Sequence, residues 1–276
     1  CCDGKGLNLV FLFRSLKAKL EPATIRALVG EYDALFPDPL MPTWVFGNHD
    51  RARRISRLGG DLQKAKLNAA WQLTARGVPF LYQGEEIGMV QVPIPAKDSQ
   101  DALVQNLSWV PQFVFDTIRS WMGESINRDE CRTPMQWDAT ANAGFCTEGV
   151  RPWLPTPADK DGRTVADQAG RPESLLECYR RFLHARKAHP ALSRGDLVMI
   201  DAAATGADVV GWRRTADGEA VVVLLNATGK ARTVKNPAPG GALVASTDAS
   251  RTDASAPDLV LAPWEGLVIA NAARVG

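Results

Sequence analysis

The sequence predicts an α/β layer followed by an all-β antiparallel domain, and three observations carry that prediction. Short apolar runs alternate with helical patterns through the first part of the chain, and polar side chains gather directly after two of those runs. Beyond residue 192 helical spacing gives way to brief apolar runs punctuated by Gly, Asn and Asp.

Residues 7–13 (Leu7-Asn8-Leu9-Val10-Phe11-Leu12-Phe13) are nearly all apolar, as expected of a strand covered on both faces in a parallel sheet. After Pro22, the positions Ile25, Leu28, Val29, Tyr32, Leu35 and Phe36 recur at helical spacing until Pro37 and Pro39 stop them. Trp44-Val45-Phe46, bounded by Pro42 and Gly47, then reads as a buried strand and closes one βαβ unit. It ends in Asn48, His49 and Asp50. Polar groups at the end of a buried strand must face water, a cavity or a ligand. Asp50 alone is equally well explained as the cap of a helical turn over residues 51–58, but a cap does not explain His49. Residues 61–76 set Leu62, Ala65, Ala69 and Leu73 on one helical face, with Gly77 as its C-cap. Val78-Pro79-Phe80-Leu81-Tyr82 is the next strand, and it too ends in polar residues: Gln83, Gly84, Glu85 and Glu86. Barrels and open α/β sheets place their sites at such carboxyl ends.

The stretch 88–171 is far longer than an ordinary connection, and its aromatics (Trp109, Phe113, Phe115, Trp121, Trp137, Phe145, Trp153) mark it as an ordered insertion in which most of them pack. Residues 155–170 read as a mobile polar loop. A helix is expected over 172–189, with Leu175, Leu176, Tyr179, Phe182, Leu183 and Arg186 on or beside one face and Pro190 closing it. Runs at 197–200, 209–212, 220–225, 243–245, 259–261 and 267–270 predict an antiparallel sandwich of roughly six to eight strands. The domains expected are therefore 1–192 and 193–276, with the boundary near 191–195.

Composition bounds the function. The 276 residues are 45% apolar and carry a net charge of +1, so no electrostatic argument favours nucleic acid or an anionic membrane. No apolar run is long enough for a membrane-spanning helix and the start lacks the pattern of a signal peptide, so a cytoplasmic protein is the expectation. The five cysteines (Cys1, Cys2, Cys131, Cys146, Cys178) have no metal-ligand spacing and read as reduced thiols. No metal and no cofactor is expected. The start at an adjacent Cys pair, without Met, reads as a cut end.

Several segments resemble the α-amylase family of glycoside hydrolases (glycoside hydrolase family 13), in particular its α-glucosidase and oligo-1,6-glucosidase branch. Val45-Phe46-Gly47-Asn48-His49-Asp50 with Arg54 resembles the family's strand-seven motif, and residues 77–89, Gly77-Val78-Pro79-Phe80-Leu81-Tyr82-Gln83-Gly84-Glu85-Glu86-Ile87-Gly88-Met89, its strand-eight motif. Arg128-Asp129, then Arg132-Thr133-Pro134-Met135-Gln136-Trp137-Asp138 and Ala143-Gly144-Phe145, is similar to a signature of the exo-acting branch. The segment ending Ala188-His189-Pro190-Ala191-Leu192 resembles its last barrel helix.

That resemblance implies the C-terminal part of a (β/α)8 barrel, about strands six to eight, followed by a β-sandwich. The family's nucleophilic Asp and its acid/base Glu follow earlier strands, and neither motif occurs in this chain. Retaining glycoside hydrolysis needs two carboxyl groups about 5 Å apart, and Asp50 with Glu86 is a tempting pair. The resemblance instead makes Asp50 the third carboxylate, which binds sugar hydroxyls in the oxocarbenium-like transition state. By the same resemblance His49 binds that sugar, Arg54 and Arg128 line the substrate pocket, and Glu85 and Glu86 tie the strand-eight loop. The implied partners are an α-glucoside oligosaccharide and the missing N-terminal half of the barrel. Hydrolysis of terminal α-glucosidic bonds is the activity expected of the complete enzyme, with the isolated chain inactive. Glucosyl isomerisation or transfer, as in trehalose-forming enzymes, a noncatalytic scaffold, and a sugar-binding fragment are the alternatives.

Overall fold

A computed structural model describes residues 6–107, 109–122, 126–157 and 160–271. Cys1 and Cys2 lie outside them. The chain divides into two compact units. One comprises Cys1–Phe46, Leu62–Phe80 and Pro172–Gly276, and the other Gly47–Asp61 and Leu81–Arg171. The boundary expected near 192 falls inside the first unit.

In the first unit strands β1 (Thr43–Val45) and β2 (Val78–Phe80) run parallel, with Thr43 opposite Val78 and Val45 opposite Phe80. The helix Pro22–Leu35 precedes β1 and buries Ile25, Leu28, Val29 and Tyr32, as its spacing predicts, whereas Leu35 of the same pattern is exposed. The helix Leu62–Thr74 leads into β2. Its Trp71 packs on Trp44 (centroids 5.6 Å apart) and Phe46 (4.7 Å), all three fully buried. Buried Gln72 spans the two strands, its amide donating to Trp44 O (3.1 Å) and Phe80 O (2.9 Å). The amide nitrogen thus uses both its protons and sets the spacing of the two strand ends, while Oε1 is enclosed without a hydrogen-bond partner among the described residues.

Two expectations are corrected here. Residues 7–12 form no strand: Leu12 N–H donates to Thr43 Oγ1 (3.1 Å), which itself donates to Val10 O (2.6 Å). A side-chain hydroxyl thus takes the place of a backbone ladder, and Leu7, Leu9, Phe11 and Phe13 stay exposed, so the apolar run has no second face to bury. Gly77 is not a C-cap, because the helix stops at Thr74. Its φ of +134° and a would-be Cβ only 2.6 Å from Pro42 O make it the close approach between the segments leading into β2 and β1.

The helix Leu175–Ala188, capped by Ser174, buries Leu175, Leu176, Cys178, Tyr179, Phe182 and Ala185, whereas Leu183 is exposed. Among the described residues, seven antiparallel strands come after it in two sheets. These are β3 (Asp196–Ile200), β4 (Val209–Ala216), β5 (Glu219–Asn226), β6 (Arg232–Lys235), β7 (Ala242–Ser246), β8 (Asp258–Leu261) and β9 (Gly266–Asn271). The order is β3-β4-β5-β9-β7 in the larger sheet, and β6 pairs with β8 in the smaller. Val222, Leu224, Leu267 and Ile269 of the larger sheet meet Val234, Leu259 and Leu261 of the smaller in one apolar cluster. Asp217 and Gly218, both at positive φ, make the tight β4–β5 turn.

Arg214 joins the sheet to the helices. Its side chain is fully buried, and it donates to Thr74 O (2.8 Å), Leu192 O (3.1 Å), Gly195 O (2.8 Å) and Asp196 O (3.0 Å). Burial pushes the guanidinium down to about 9. Trp212 Nε1 still donates to Thr74 O (3.3 Å) and Arg186 Nη1 to Leu192 O (2.9 Å), so Arg214→Leu removes the guanidinium chiefly from Gly195 O and Asp196 O and is expected to cost ~3 kcal/mol in urea unfolding. A loss below ~1 kcal/mol would show that water replaces the guanidinium.

The second unit holds the helices Arg54–Arg57, Ala102–Gln105, Gln112–Met122 and Val165–Gln168, and in it Ala96, Val104 and Phe115 form a small cluster with Leu107, Val110 and Ile126 packed against it. Most of the insertion's aromatics do not pack. Phe115 is buried, whereas Trp109, Phe113, Trp121, Trp137, Phe145 and Trp153 are exposed, the cluster being too small to cover them. The described part of 155–170 is tied down and not a polar loop free of structure: Gln168 donates to Ile87 O (2.8 Å), Arg163 to Gly88 O (2.9 Å), and Thr164 caps its own helix.

Candidate active site

The chain leaves β1 through Gly47 into a turn closed by Asp50 N–H donating to Asn48 Oδ1 (3.0 Å). A Cβ at Gly47 would lie 2.6 Å from Glu85 Oε1, so any other residue there displaces the Glu85 carboxylate. Asp50 does not cap a helix: the helix Arg54–Arg57 begins four residues later with Arg53 as its N-cap. The carboxylate is instead bracketed by charge. Arg128 Nη1 and Arg132 Nη2 each lie 3.3 Å from Asp50 Oδ1, and His49 Nε2 lies 3.4 Å from Oδ2. Arg132 Nε also donates to His49 O (2.8 Å), fixing the turn.

Asn127 caps the turn Arg128–Cys131 that carries Arg128 and leads directly into Arg132, its side chain accepting from Asp129 N–H (3.2 Å). Arg128 is clamped from behind by Asp101, through Nε (2.8 Å) and Nη2 (2.6 Å), in a two-pronged pairing. The Asp101 carboxylate is fully enclosed, and its bonds to Arg128 hold it down at about 2 despite burial. Asp129 is likewise occupied, accepting from Ser99 Oγ (3.0 Å), Gln100 N–H (2.6 Å) and Asp101 N–H (2.8 Å). Asp101 and Asp129 are therefore structural acceptors, while Asp50 keeps 46% of its side chain exposed and His49 64%.

Of the four residues expected at the site, the structure gathers His49, Asp50 and Arg128. Arg54 is buried, 6% exposed, and its charge acts on Glu85. Arg132 and Asp101 were not among those expected. Arg132 lies within the Arg128-to-Asp138 motif and so was accessible to sequence reasoning, but nothing in the sequence marks Asp101 as a partner of Arg128. Among the described residues no group of three or more His, Cys, Asp or Glu side chains could hold a metal ion.

Glu85 shapes the second loop. Its Oε2 accepts Tyr82 N–H (3.0 Å), whereas Oε1 is enclosed without a partner among the described residues, although the residue as a whole is partly exposed. Burial pushes the carboxyl up to about 7, opposed by the Tyr82 bond and by Arg54 and Arg57. A raised carboxyl means that the folded chain binds more protons than the unfolded chain between the ordinary value of 4.5 and about 7. Stability is thus expected to fall as pH rises through that window, by at most roughly 3 kcal/mol. Glu85→Gln should flatten the decline in thermal midpoint between about pH 5 and 8, read by calorimetry across a buffer series. An unchanged slope would mean that Glu85 ionises freely.

The α-amylase catalytic-domain family matches residues 14–195, most of the chain, and the chain belongs to that family. Among its relatives is a "Probable alpha-glucosidase" of Rhizobium meliloti, 31% identical over 239 residues, covering 85% of this chain and 40% of the relative. An oligo-1,6-glucosidase of Halalkalibacterium halodurans is 30% identical, covering 84% of this chain and 44% of its own length. Among solved structures, the trehalulose synthase MutB of Pseudomonas mesoacidophila superposes with a TM-score of 0.81 at 29% identity, over 96% of this chain and 51% of the synthase. A variant of that synthase in complex with the substrate sucrose gives a TM-score of 0.79. The chain spans about half the length of these proteins or less.

Proposed function

We propose that the chain is the C-terminal portion of a retaining α-glucosidase that hydrolyses terminal α-glucosidic bonds of malto- or isomalto-oligosaccharides. In this reading residues 1–192 supply the last part of the barrel, β1 and β2 standing as about strands seven and eight and residues 7–12 occupying the place of the sixth without forming a strand, with the insertion at about 88–171, and 193–276 a β-sandwich. The observation that carries it is the exposed Asp50 carboxylate, bracketed by two guanidiniums and an imidazole on a turn that follows β1. Such a carboxylate accepts sugar hydroxyls while His49 donates or accepts beside it. As the ring flattens and gains positive charge, the attraction of Asp50 grows, so the contact lowers the barrier more than it strengthens ground-state binding. Arg128 and Arg132 orient the carboxylate, and Arg54 acts from within the loop through Glu85.

Asp50 cannot also be the nucleophile and the proton donor, since that chemistry takes a pair of carboxyl groups about 5 Å apart. The sequence holds no counterpart of the family's nucleophile or acid/base motifs, so the other barrel half must provide them. The 276-residue chain is therefore expected to release no glucose from maltose or from a nitrophenyl α-glucoside; turnover above blank would overturn this division of labour. Joined to a polypeptide that supplies both carboxyl groups, Asp50→Asn is expected to lower kcat by about a thousandfold or more with an unchanged fold, read by initial rates and circular dichroism. Near-normal turnover would leave Asp50 a purely structural residue.

A second reading, glucosyl transfer within a disaccharide, is favoured by the superposition on trehalulose synthase. The two share Asp50's role and differ in whether water or a sugar hydroxyl takes the glucosyl group, which product analysis with sucrose and maltose separates.

A further inference from the structure

In the first unit, the helix Leu62–Thr74 and the turn between β8 and β9 border a half-open cavity of about 400 Å³, a volume suited to a small ligand. Gln63, Lys66, Glu173, Asp248 and Trp264 line it. Lys66 is the anomaly. It is only 6% exposed, and its ammonium has no hydrogen bond or ion pair among the described residues. Burial lowers its proton affinity, opposed by the more distant charges of Glu173 and Asp248. The ammonium, with no protein acceptor among the described residues, is still reached by solvent in the cavity it lines, and a ligand acceptor can enter there.

Trp264 is the second anomaly. Its φ of +57° is a left-handed conformation that a bulky residue adopts only when the surroundings impose it. Its backbone N–H donates to Thr228 O (3.1 Å), and neighbouring Glu265 is locked by Arg251 (2.5 and 3.0 Å) and by Ala262 N–H (2.7 Å). The Lys64 ammonium lies 5.1 Å from the indole centroid. The ring is thus held at the rim of the cavity by a strained, well-braced turn.

The lining selects the ligand. Lys66 and the nearby Lys64 stand against two carboxylates, Glu173 and Asp248, the latter accepting from Ser250 only through Oδ1, while Glu265 is consumed by Arg251. The charges balance, so an anion meets the two carboxylates and a simple cation meets the two ammoniums. A neutral polyhydroxylated ring meets neither penalty: its hydroxyls accept from Lys66 and donate to Asp248, and its apolar face stacks on Trp264. We propose that this cavity is a second saccharide site, built from none of the residues of the Asp50 cluster and taking one glucosyl-sized ring of a neutral oligosaccharide. It stands on its own lining and does not depend on the catalytic reading.

The test is calorimetric titration of maltose and isomaltose into the 276-residue chain carrying Asp50→Ala, followed in parallel by tryptophan fluorescence. Millimolar binding is expected, weakened about tenfold or more by Lys66→Met and again by Asp248→Asn. Lys66→Met also removes an unpaired buried charge, so its thermal midpoint should hold or rise, which separates lost binding from lost fold. If it unfolds instead, Asp248→Asn at the exposed rim gives the reading. No saccharide binding, or affinity indifferent to both variants, would overturn the proposal. So would inorganic phosphate binding that Lys66→Met abolishes while maltose gives no heat. None of these results bears on Asp50, which is absent from the chain used.

Discussion

The two-pronged pairing of Arg128 with the enclosed carboxylate of Asp101 is the constraint on which the candidate site depends. A guanidinium is planar, so committing Nε and Nη2 to Asp101 fixes where Nη1 points. It points at Asp50. Asp101 is itself held by Leu103 N–H (3.1 Å) and Arg128 N–H (3.1 Å), so neither partner can rotate away without stranding a buried charge. Arg132 adds a second guanidinium directly after the same turn, and Asn127 and Asp129 pin that turn to residues 99–101. An exposed carboxylate on a surface turn thereby acquires the fixed position that electrostatic catalysis requires.

The first unit solves a different problem with the same device. Two short strands offer few backbone bonds, and buried side-chain donors supply the rest. Gln72 ties the strand ends, and Arg214 gathers carbonyls from Thr74, Leu192, Gly195 and Asp196. Trp44, Phe46 and Trp71 fill the space between strand and helix. The strand that leads toward the Asn48-His49-Asp50 turn is therefore rigid up to Phe46.

How much of this was legible in the sequence depended on whether the deciding contact was local. Helices with clear spacing, such as Pro22–Leu35 and Leu175–Ala188, were readable because their own residues define the buried face. Strand β6 was missed, since Arg232-Thr233-Val234-Lys235 contributes a single apolar residue and becomes a strand only by pairing with β8. The run at 7–13 misled in the opposite sense, being apolar without a partner to pair with. At the site, His49, Asp50 and Arg128 could be picked out by motif, whereas the role of Asp101 depends on a contact across 27 residues that no local pattern announces. Arg54 shares the motif yet is buried, because its helix turns it toward Glu85. Exposure of the insertion's tryptophans was likewise invisible, since aromatic content alone does not reveal how small their cluster is.

On the proposed function, Asp101 acts on the reaction through Arg128 and Asp50 and not by itself. A double-mutant cycle tests it most directly: Asp101→Asn and Asp50→Asn, singly and together, in a polypeptide that supplies the nucleophile and acid/base, with kcat and KM for maltose measured for each. Asp101→Asn is expected to lower kcat when Asp50 is intact and to change it little once Asp50 is gone. Fully additive losses would contradict it, because they would mean that Asp101 contributes to turnover independently of the carboxylate it is held to position.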